Sequence, residues 1–350
     1  MLTLWKGWII VNDVYILAIE TSCDETSIAI IKNGQEVDSL TILTQMDTHA
    51  NFGGVVPEIA SRMHAENITM VLEDTLRKSS VDMDRIDAIA VTYAPGLLGS
   101  LLVGVEFAKT LCLVYNKPLI AVNHTMGHIL ANRIDYEIEY PSLALTVSGG
   151  HTDLLVMESE TDMKILGSSI DDSIGEVFDK IARVLDMPYP GGPNIEKMAL
   201  KGQNSYKLPI PMNDNTYNFS YSGLKSYIIN LVHNEKQRGN TINKEDLACS
   251  FQTTAVDELV RKVSLAIDNT GIKHFLLSGG VSANKYLRNK LKELCEIKGV
   301  TFHVPEFTYC TDNAAMIGCA AYPLWKEKKF ASMDLNAKAS ESIKQYIEKN

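Results

Sequence analysis

The chain has 350 residues, of which 45% are hydrophobic and 22% charged, and its formal net charge is −10. That is enough apolar sequence for two packed domains, and too acidic a balance for a protein that grips nucleic acid unaided. The six cysteines, 23, 112, 249, 295, 310 and 319, form no C-x-x-C pair. Free thiols in a reducing, cytoplasmic compartment therefore fit better than disulfides or a zinc knuckle.

Leu2 to Val11 is apolar but too short to span a bilayer, and it lacks the small-residue cleavage site of a signal peptide. No membrane association is expected. The first strand should begin near Val14, which leaves the preceding residues as a poorly ordered extension or a misplaced start.

Tyr15 to Glu20 is an apolar run of strand length, followed by the polar turn Thr21-Ser-Cys-Asp-Glu25 and a second strand from Thr26 to Lys32. Asn33-Gly34 signals a hairpin back through Gln35 to Leu40. The turn offers Thr21, Ser22, Asp24 and Glu25 to a phosphate or a metal, or is simply a surface turn. Gly53-Gly54 and Pro57 introduce a helix from Glu58 to Lys78. The strand Ile86 to Thr92, the loop Ala94 to Ser100 and the helix Leu101 to Tyr115 suit an anion at the helix N-terminus, or tight strand-to-helix packing. Neither a P-loop nor a dinucleotide fingerprint is present.

Pro118 to Asn123 is strand-like and leads into His124-Thr-Met-Gly-His128. Imidazoles four residues apart share a helix face and can reach one divalent ion. A zinc protease of the H-E-x-x-H type needs a Glu after the first His, and Thr125 stands there. The ion would then hold and polarise substrate oxygens rather than activate a water for peptide hydrolysis. Two unrelated helix histidines are the plainer alternative.

The second half repeats the layout. Strands Ser142 to Val147 and Thr152 to Glu158 flank the turn Ser148-Gly-Gly-His151, and Lys164 to Ser168 begins a third. The helix Ile174 to Leu185 carries Glu176, Asp179 and Lys180, which offer a carboxylate to a ribose hydroxyl or form a salt-bridged face. The turn Tyr189 to Pro193 precedes a helix with Glu196, and Pro209 to Ser222 is a long loop. His274 to Ser278, Gly279-Gly280 and a helix from Ser282 to Ile297 match residues 86–115 in order. Thr308 to Asn313 leads into an apolar helix, Ala314 to Leu324. Asp312 is either its N-cap or a third ligand beside the histidines, a set that suits Zn or Fe(II). Residues 332–350 are polar and expected to fray. The whole reads as a duplicated α/β domain with a ligand cleft between the copies. Lys285, Arg288, Lys290 and Lys292, and the stretch Lys225 to Arg238, are local candidates for nucleic-acid contact or solvated helix faces.

Eight motifs together resemble the bacterial tRNA threonylcarbamoyladenosine transferase family, TsaD, once called O-sialoglycoprotein endopeptidase or glycoprotease. They are Glu20-Thr-Ser-Cys-Asp-Glu-Thr26, Gly53-Gly-Val-Val-Pro-Glu58, His124-Thr-Met-Gly-His128, Val147-Ser-Gly-Gly-His-Thr152, Tyr189-Pro-Gly-Gly-Pro193, Phe219-Ser-Tyr-Ser-Gly-Leu-Lys225, Gly279-Gly-Val-Ser-Ala-Asn284 and Cys310-Thr-Asp-Asn313. The resemblance runs from about Tyr15 to Leu324.

It implies an actin-like ATPase (ASKHA, RNase H-like) fold, with residues 14–123 plus 312–330 as one domain and 124–311 as the other. Residues 1–13 would be an N-terminal extension and 331–350 a polar tail. It implies transfer of threonylcarbamoyl from L-threonylcarbamoyl-AMP to the N6 amine of adenosine 37 in tRNAs reading ANN codons, with release of AMP. The implied metal ligands are His124, His128 and Asp312, holding one Fe(2+) or Zn(2+). The implied substrate-binding residues are Thr146, Val147, Ser148, Gly149, Gly150, Asp179, Gly192, Glu196 and Asn284. The donor is a mixed anhydride with a good leaving group, so no covalent nucleophile is expected. Implied partners are tRNA, the paralogue TsaB, the P-loop ATPase TsaE and a threonylcarbamoyl-AMP synthase. A metalloprotease, an ATP-dependent kinase of the actin-like superfamily and a non-catalytic scaffold are the rival readings.

Overall fold

The computed structural model describes residues 13–349, so the expected extension lies almost wholly outside the described residues. Strands β1 (Tyr15–Glu20), β2 (Glu25–Lys32) and β3 (Glu36–Thr44) form an antiparallel meander. The β2–β3 hairpin turns on Asn33 and Gly34, with φ of 56° and 69°, a left-handed pair that these two residues adopt at little cost. Helices α1 (Met46–Ala50) and α2 (Pro57–Lys78) follow, then β4 (Ala88–Ala94), α3 (Leu98–Tyr115) and β5 (Leu119–Asn123). Both β4 and β5 run parallel to β1, giving the order β3-β2-β1-β4-β5. Ile16, Leu17, Ala18 and Ile19 are all fully buried, so β1 is covered on both faces and reads as a continuous apolar run.

After α4 (His124–Leu130) the pattern restarts with β6 (Ser142–Val147), β7 (Thr152–Met157) and β8 (Met163–Ser168). Helices α5 (Ile174–Val184), α6 (Gly191–Ala199), α7 (Ser222–Gln237) and α8 (Lys244–Thr270) intervene before β9 (His274–Ser278), α9 (Lys285–Lys298) and β10 (Thr301–His303). The second sheet has the order β10-β9-β6-β7-β8, with antiparallel pairs in its meander and parallel pairs beyond it. Strand for strand this is the first sheet again, with β6 in the place of β1 and β9 in that of β4. The molecule is a duplicated α/β fold.

Of the last elements, α10 (Ala314–Lys326) returns to the first half, while α11 (Ile343–Lys349) reaches β8 of the second sheet. Helix α10 packs on β1, β2 and α4, although it follows the second sheet in the chain. That return brings the residues just before α10 against α4. Helix α3 is long and apolar enough to cross a membrane by length and composition alone, and it packs here on β4 and α2.

Three features differ from the sequence reading. The 27-residue helix α8, the longest here, was not anticipated. Its signals are nonetheless present: the Asn243 side chain accepts the Asp246 N–H, and Gly271 ends the helix at φ 68°. Helix α9 starts at Lys285 rather than Ser282 because Asn284 caps it. The tail does not fray. Ala331 N–H donates to Leu119 O at 2.8 Å, Lys338 N–H to Tyr93 O at 2.9 Å, and Gly96 N–H to Ala339 O at 3.2 Å. Ile343 and Tyr346, three residues apart on α11, are buried, so a short apolar stripe outweighs the polar composition.

Candidate metal centre

Helix α4 is short, and its geometry is set at both ends. Asn123 caps it, its Oδ1 accepting the N–H groups of Thr125 at 3.0 Å and Met126 at 3.3 Å. Gly127 lets it abut α10, since a Cβ there would lie 2.8 Å from Ile317 Cδ1. Helix α10 is capped by Asn313, whose Oδ1 accepts the Met316 N–H at 3.1 Å. Asp312 is therefore released from capping and turns to the histidines.

The Asp312 Oδ1 lies 3.5 Å from His124 Nε2 and 3.2 Å from His128 Nε2. The donor atoms of all three residues fall within 4.8 Å of one another. Ligands at about 2.0–2.1 Å from a tetrahedral ion stand about 3.3 Å apart, so these spacings suit a shared ion. The two rings sit edge to face, centroids 4.6 Å apart. Both ring nitrogens of His128 are buried without a hydrogen bond, although Nε2 lies 3.2 Å from Asp312 Oδ1. A buried imidazole so placed is costly unless something else binds it. The residues fit a divalent cation.

Glu20, at the end of β1, was missing from the expected site. It is fully buried, and its Oε2 lies 3.2 Å from His124 Nδ1 while accepting the Thr92 hydroxyl at 2.6 Å. Its Oε1 accepts the Ser22 N–H at 2.5 Å, and Ser22 Oγ is itself 3.1 Å from His124 Nδ1. A carboxylate behind a histidine fixes the ring and leaves Nε2 free to ligate. The signal lay in the sequence: a carboxylate ending a wholly apolar strand must find a partner.

The electrostatics follow. Burial alone would depress His124, but the charges of Asp312 and Glu20 hold it well above the usual imidazole range. Burial lowers His128 and outweighs Asp312. Asp312 is held far below the carboxylate range, His124 overcoming its burial. Burial pushes Glu25 up to about 10, with Asp312 and Asp24 adding to the shift. His151, from the turn after β6, falls to about 4 through burial and the nearby His124 and His128. The two halves thus meet at this point.

The remaining expected residues line the second half. Thr146 Oγ1 is 2.9 Å from Ser278 Oγ, tying the ends of β6 and β9, and Val147 is buried in β6. Ser148 N–H donates to His151 O at 2.9 Å, and Ser173 Oγ donates to Gly149 O at 2.6 Å. A Cβ on Gly149, Gly150 or Gly192 would meet nothing within 4 Å, so these backbones face open space. Asp179 accepts the Gly191 N–H at 2.7 Å at the start of α6; burial raises its pKa, and the Gly191 and Gly192 amides partly oppose that. Glu196 accepts the Lys285 N–H at 2.6 Å, at the start of α9. Asn284 caps α9 and donates to Gln252 Oε1 at 2.9 Å. Gly279, at φ 86° and with a Cβ position 2.4 Å from Val147 O, admits no side chain.

Three members of the basic stretches are engaged within the fold, whereas Lys285 and Lys292 are exposed. Arg288 turns inward, Lys225 pairs with Asp172, and Arg238 pairs with Glu235 at 2.8 Å. Glu176 pairs with Lys180 at 2.6 Å, as the salt-bridged alternative expects.

A family model described as TsaD, tRNA N6-adenosine threonylcarbamoyltransferase, matches residues 36–319. The chain belongs to the TsaD family. It is 48% identical over 331 residues to a tRNA N6-adenosine threonylcarbamoyltransferase of Anoxybacillus flavithermus, covering 94% of this chain and 97% of the relative. It is 47% identical over 337 residues to the protein of that name from Bacillus subtilis, covering 96% and 97%. Among solved structures, full-length HypF in its phosphate- and nucleotide-bound form aligns with a TM-score of 0.59 at 16% identity, over 89% of this chain and 46% of HypF. At that identity the likeness shows the fold alone, an actin-like one.

Proposed function

We propose that the chain is a tRNA N6-adenosine threonylcarbamoyltransferase. In this reading it moves threonylcarbamoyl from L-threonylcarbamoyl-AMP to the N6 amine of adenosine 37 in tRNAs reading ANN codons, and AMP leaves. The observation that carries the reading is the buried trio His124, His128 and Asp312 within a chain nearly half identical to named transferases. A divalent ion on this trio, Fe(2+) or Zn(2+), supplies Lewis-acid polarisation and neutralises oxygen charge when bound.

The chain's own residues do the rest. Glu20 and Ser22 hold the His124 ring through Nδ1. The open Gly149–Gly150 backbone offers amides to the phosphate, and Thr146, Val147 and Ser148 carry that loop. Asp179, Gly192 and Glu196 line the ribose side, with Asn284 and the Gly279–Gly280 loop on the adenine side. Each of the two carboxylates spends one oxygen on a helix N-terminus and keeps another for a hydroxyl. The attacking amine needs no enzyme nucleophile, because the anhydride already carries a good leaving group; orientation is what the site contributes.

The domains are taken as residues 14–123 with 312–330, and 124–311. A tRNA substrate favours a cytoplasmic protein. Its acidic surface favours sharing the tRNA with partners, a TsaB-type paralogue and a TsaE-type ATPase, with the donor made by a separate synthase.

Labelled threonine, bicarbonate, ATP, the synthase and the two partners are incubated with unmodified tRNA. Label should enter tRNA only when the chain is present. No label with active partners would contradict the reading, and cleavage of casein blocked by a chelator would favour the protease instead.

A further inference from the structure

We infer that Arg288 is a positioning residue that fixes the Asp312 carboxylate and the Asn284 loop relative to each other. The inference rests on the metal reading above. Arg288, on the first turn of α9, donates from Nε to Ser282 O at 2.5 Å. Its Nη2 donates to Pro305 O at 2.9 Å and to Cys310 Sγ at 2.9 Å. The guanidinium also lies 4.2 Å over the Phe307 ring. None of these polar acceptors is a carboxylate, so the side chain acts as a geometric clamp rather than one half of an ion pair.

The clamped segments are the ones that matter. Ser282 stands two residues before Asn284, and Cys310 two residues before Asp312. The segment between β10 and α10 has little backbone structure of its own, only a 3-10 turn at Phe307–Tyr309. From its far side Asp312 is held by the cap of α10; from its near side the fixed point is the fully buried Cys310, whose thiol donates to Glu306 O at 3.3 Å and accepts from Arg288. Three acceptors spread over two segments need a planar fork, which a lysine ammonium cannot reproduce. Loss of the fork frees Asp312 and the Asn284 loop together.

The test is a Co(2+) titration of the metal-free full chain, followed by visible d–d absorption, which reports both affinity and ligand geometry. The proteins compared are the wild type, Arg288→Ala, Arg288→Lys, Cys310→Ala and Cys310→Ser. Near-UV circular dichroism establishes that each is folded, and donor KM and kcat are measured in the transfer assay. Arg288→Lys and Arg288→Ala should bind Co(2+) about tenfold more weakly, with altered bands, the lower end of what loss of a ligand's direct outer partner costs, because Arg288 acts on Asp312 through Cys310. Their donor KM should rise more than kcat falls. Cys310→Ala should show a smaller loss in the same direction, and Cys310→Ser, which keeps an acceptor, should restore the affinity. If Arg288→Ala does not fold, the lysine and cysteine variants carry the test alone. Folded Arg288→Lys with Co(2+) affinity within twofold of wild type and unchanged bands would overturn the inference. Wild type that binds no Co(2+) would overturn the metal reading itself, and this inference with it.

Discussion

The two halves share one strand order, yet their equivalent turns have opposite characters. In the first half, the turn after β1 is packed shut against the loop after β4. Thr21 Oγ1 donates to Ser100 O at 2.9 Å, Leu97 N–H donates to Ser22 O at 2.8 Å, and the tail closes over Gly96. A Cβ on Gly96 would lie 2.7 Å from Ser22 Cβ, so the loop that looked suited to an anion is there for packing. In the second half, Gly149 and Gly150 after β6, and Gly280 after β9, have no neighbour within 4 Å of a Cβ position. Duplication preserved the scaffold and divided the labour. The first half closes its turns and contributes Glu20, helix α4 at the link between the halves carries the histidines, and the second half leaves its glycine loops open. The return of α10 supplies Asp312 where the two meet.

The division predicts where damage should be worst. Asp312→Ala removes the shared ligand, and transfer should fall by at least about 100-fold, with loss of bound metal seen by elemental analysis. Retained metal and activity would dissolve the comparison at its junction. Glu20→Gln keeps the size but removes the charge behind His124, and metal affinity should drop by about 10–100-fold in a competition titration.

Paired glycine substitutions sharpen the contrast between the two loops. Gly150→Ala should leave thermal stability within about 0.5 kcal/mol, since nothing is struck, while donor KM rises roughly tenfold. Gly96→Ala should do the reverse, costing about 1–3 kcal/mol through overpacking against Ser22 with a smaller effect on KM. Equal behaviour of the two variants would mean that both loops are packed or both are open.

The smallest expected effect concerns the tail. Burial alone would raise the Glu341 pKa, but Lys349, Tyr93 and Lys338 bring it down to about 2 from an ordinary 4.5. A depressed carboxylate contributes stability that is full above 4.5 and lost as the pH falls through about 2. Glu341→Gln should therefore cost about 1 kcal/mol at neutral pH and flatten the stability profile in that acid window, as followed by denaturant unfolding.

Much of this was legible in the sequence because it rests on local spacing. The period of four in His124 and His128, and the strand–turn–strand layout repeated at Ser142 to Ser168, need no tertiary knowledge. What was not legible depends on partners distant in the chain. Asp312 and Asn313 are both ordinary capping residues, and only packing shows that Asn313 caps α10 and frees its neighbour. Arg288 reads as surface charge until Pro305 and Cys310 are seen to accept from it. Glu20 reads as the end of a strand until His124 arrives from 104 residues away. Helix α8 was a failure of a different kind, since Asn243 and Gly271 marked both its ends.

The most direct test of the division is a crystal structure of the full chain with a non-hydrolysable analogue of threonylcarbamoyl-AMP, with diffraction collected at the metal's absorption edge. The account predicts one anomalous peak bonded to His124, His128 and Asp312, with the analogue's phosphate on the Gly149–Gly150 loop. A peak elsewhere, or a phosphate seated on the Gly96–Ser100 loop, would contradict it.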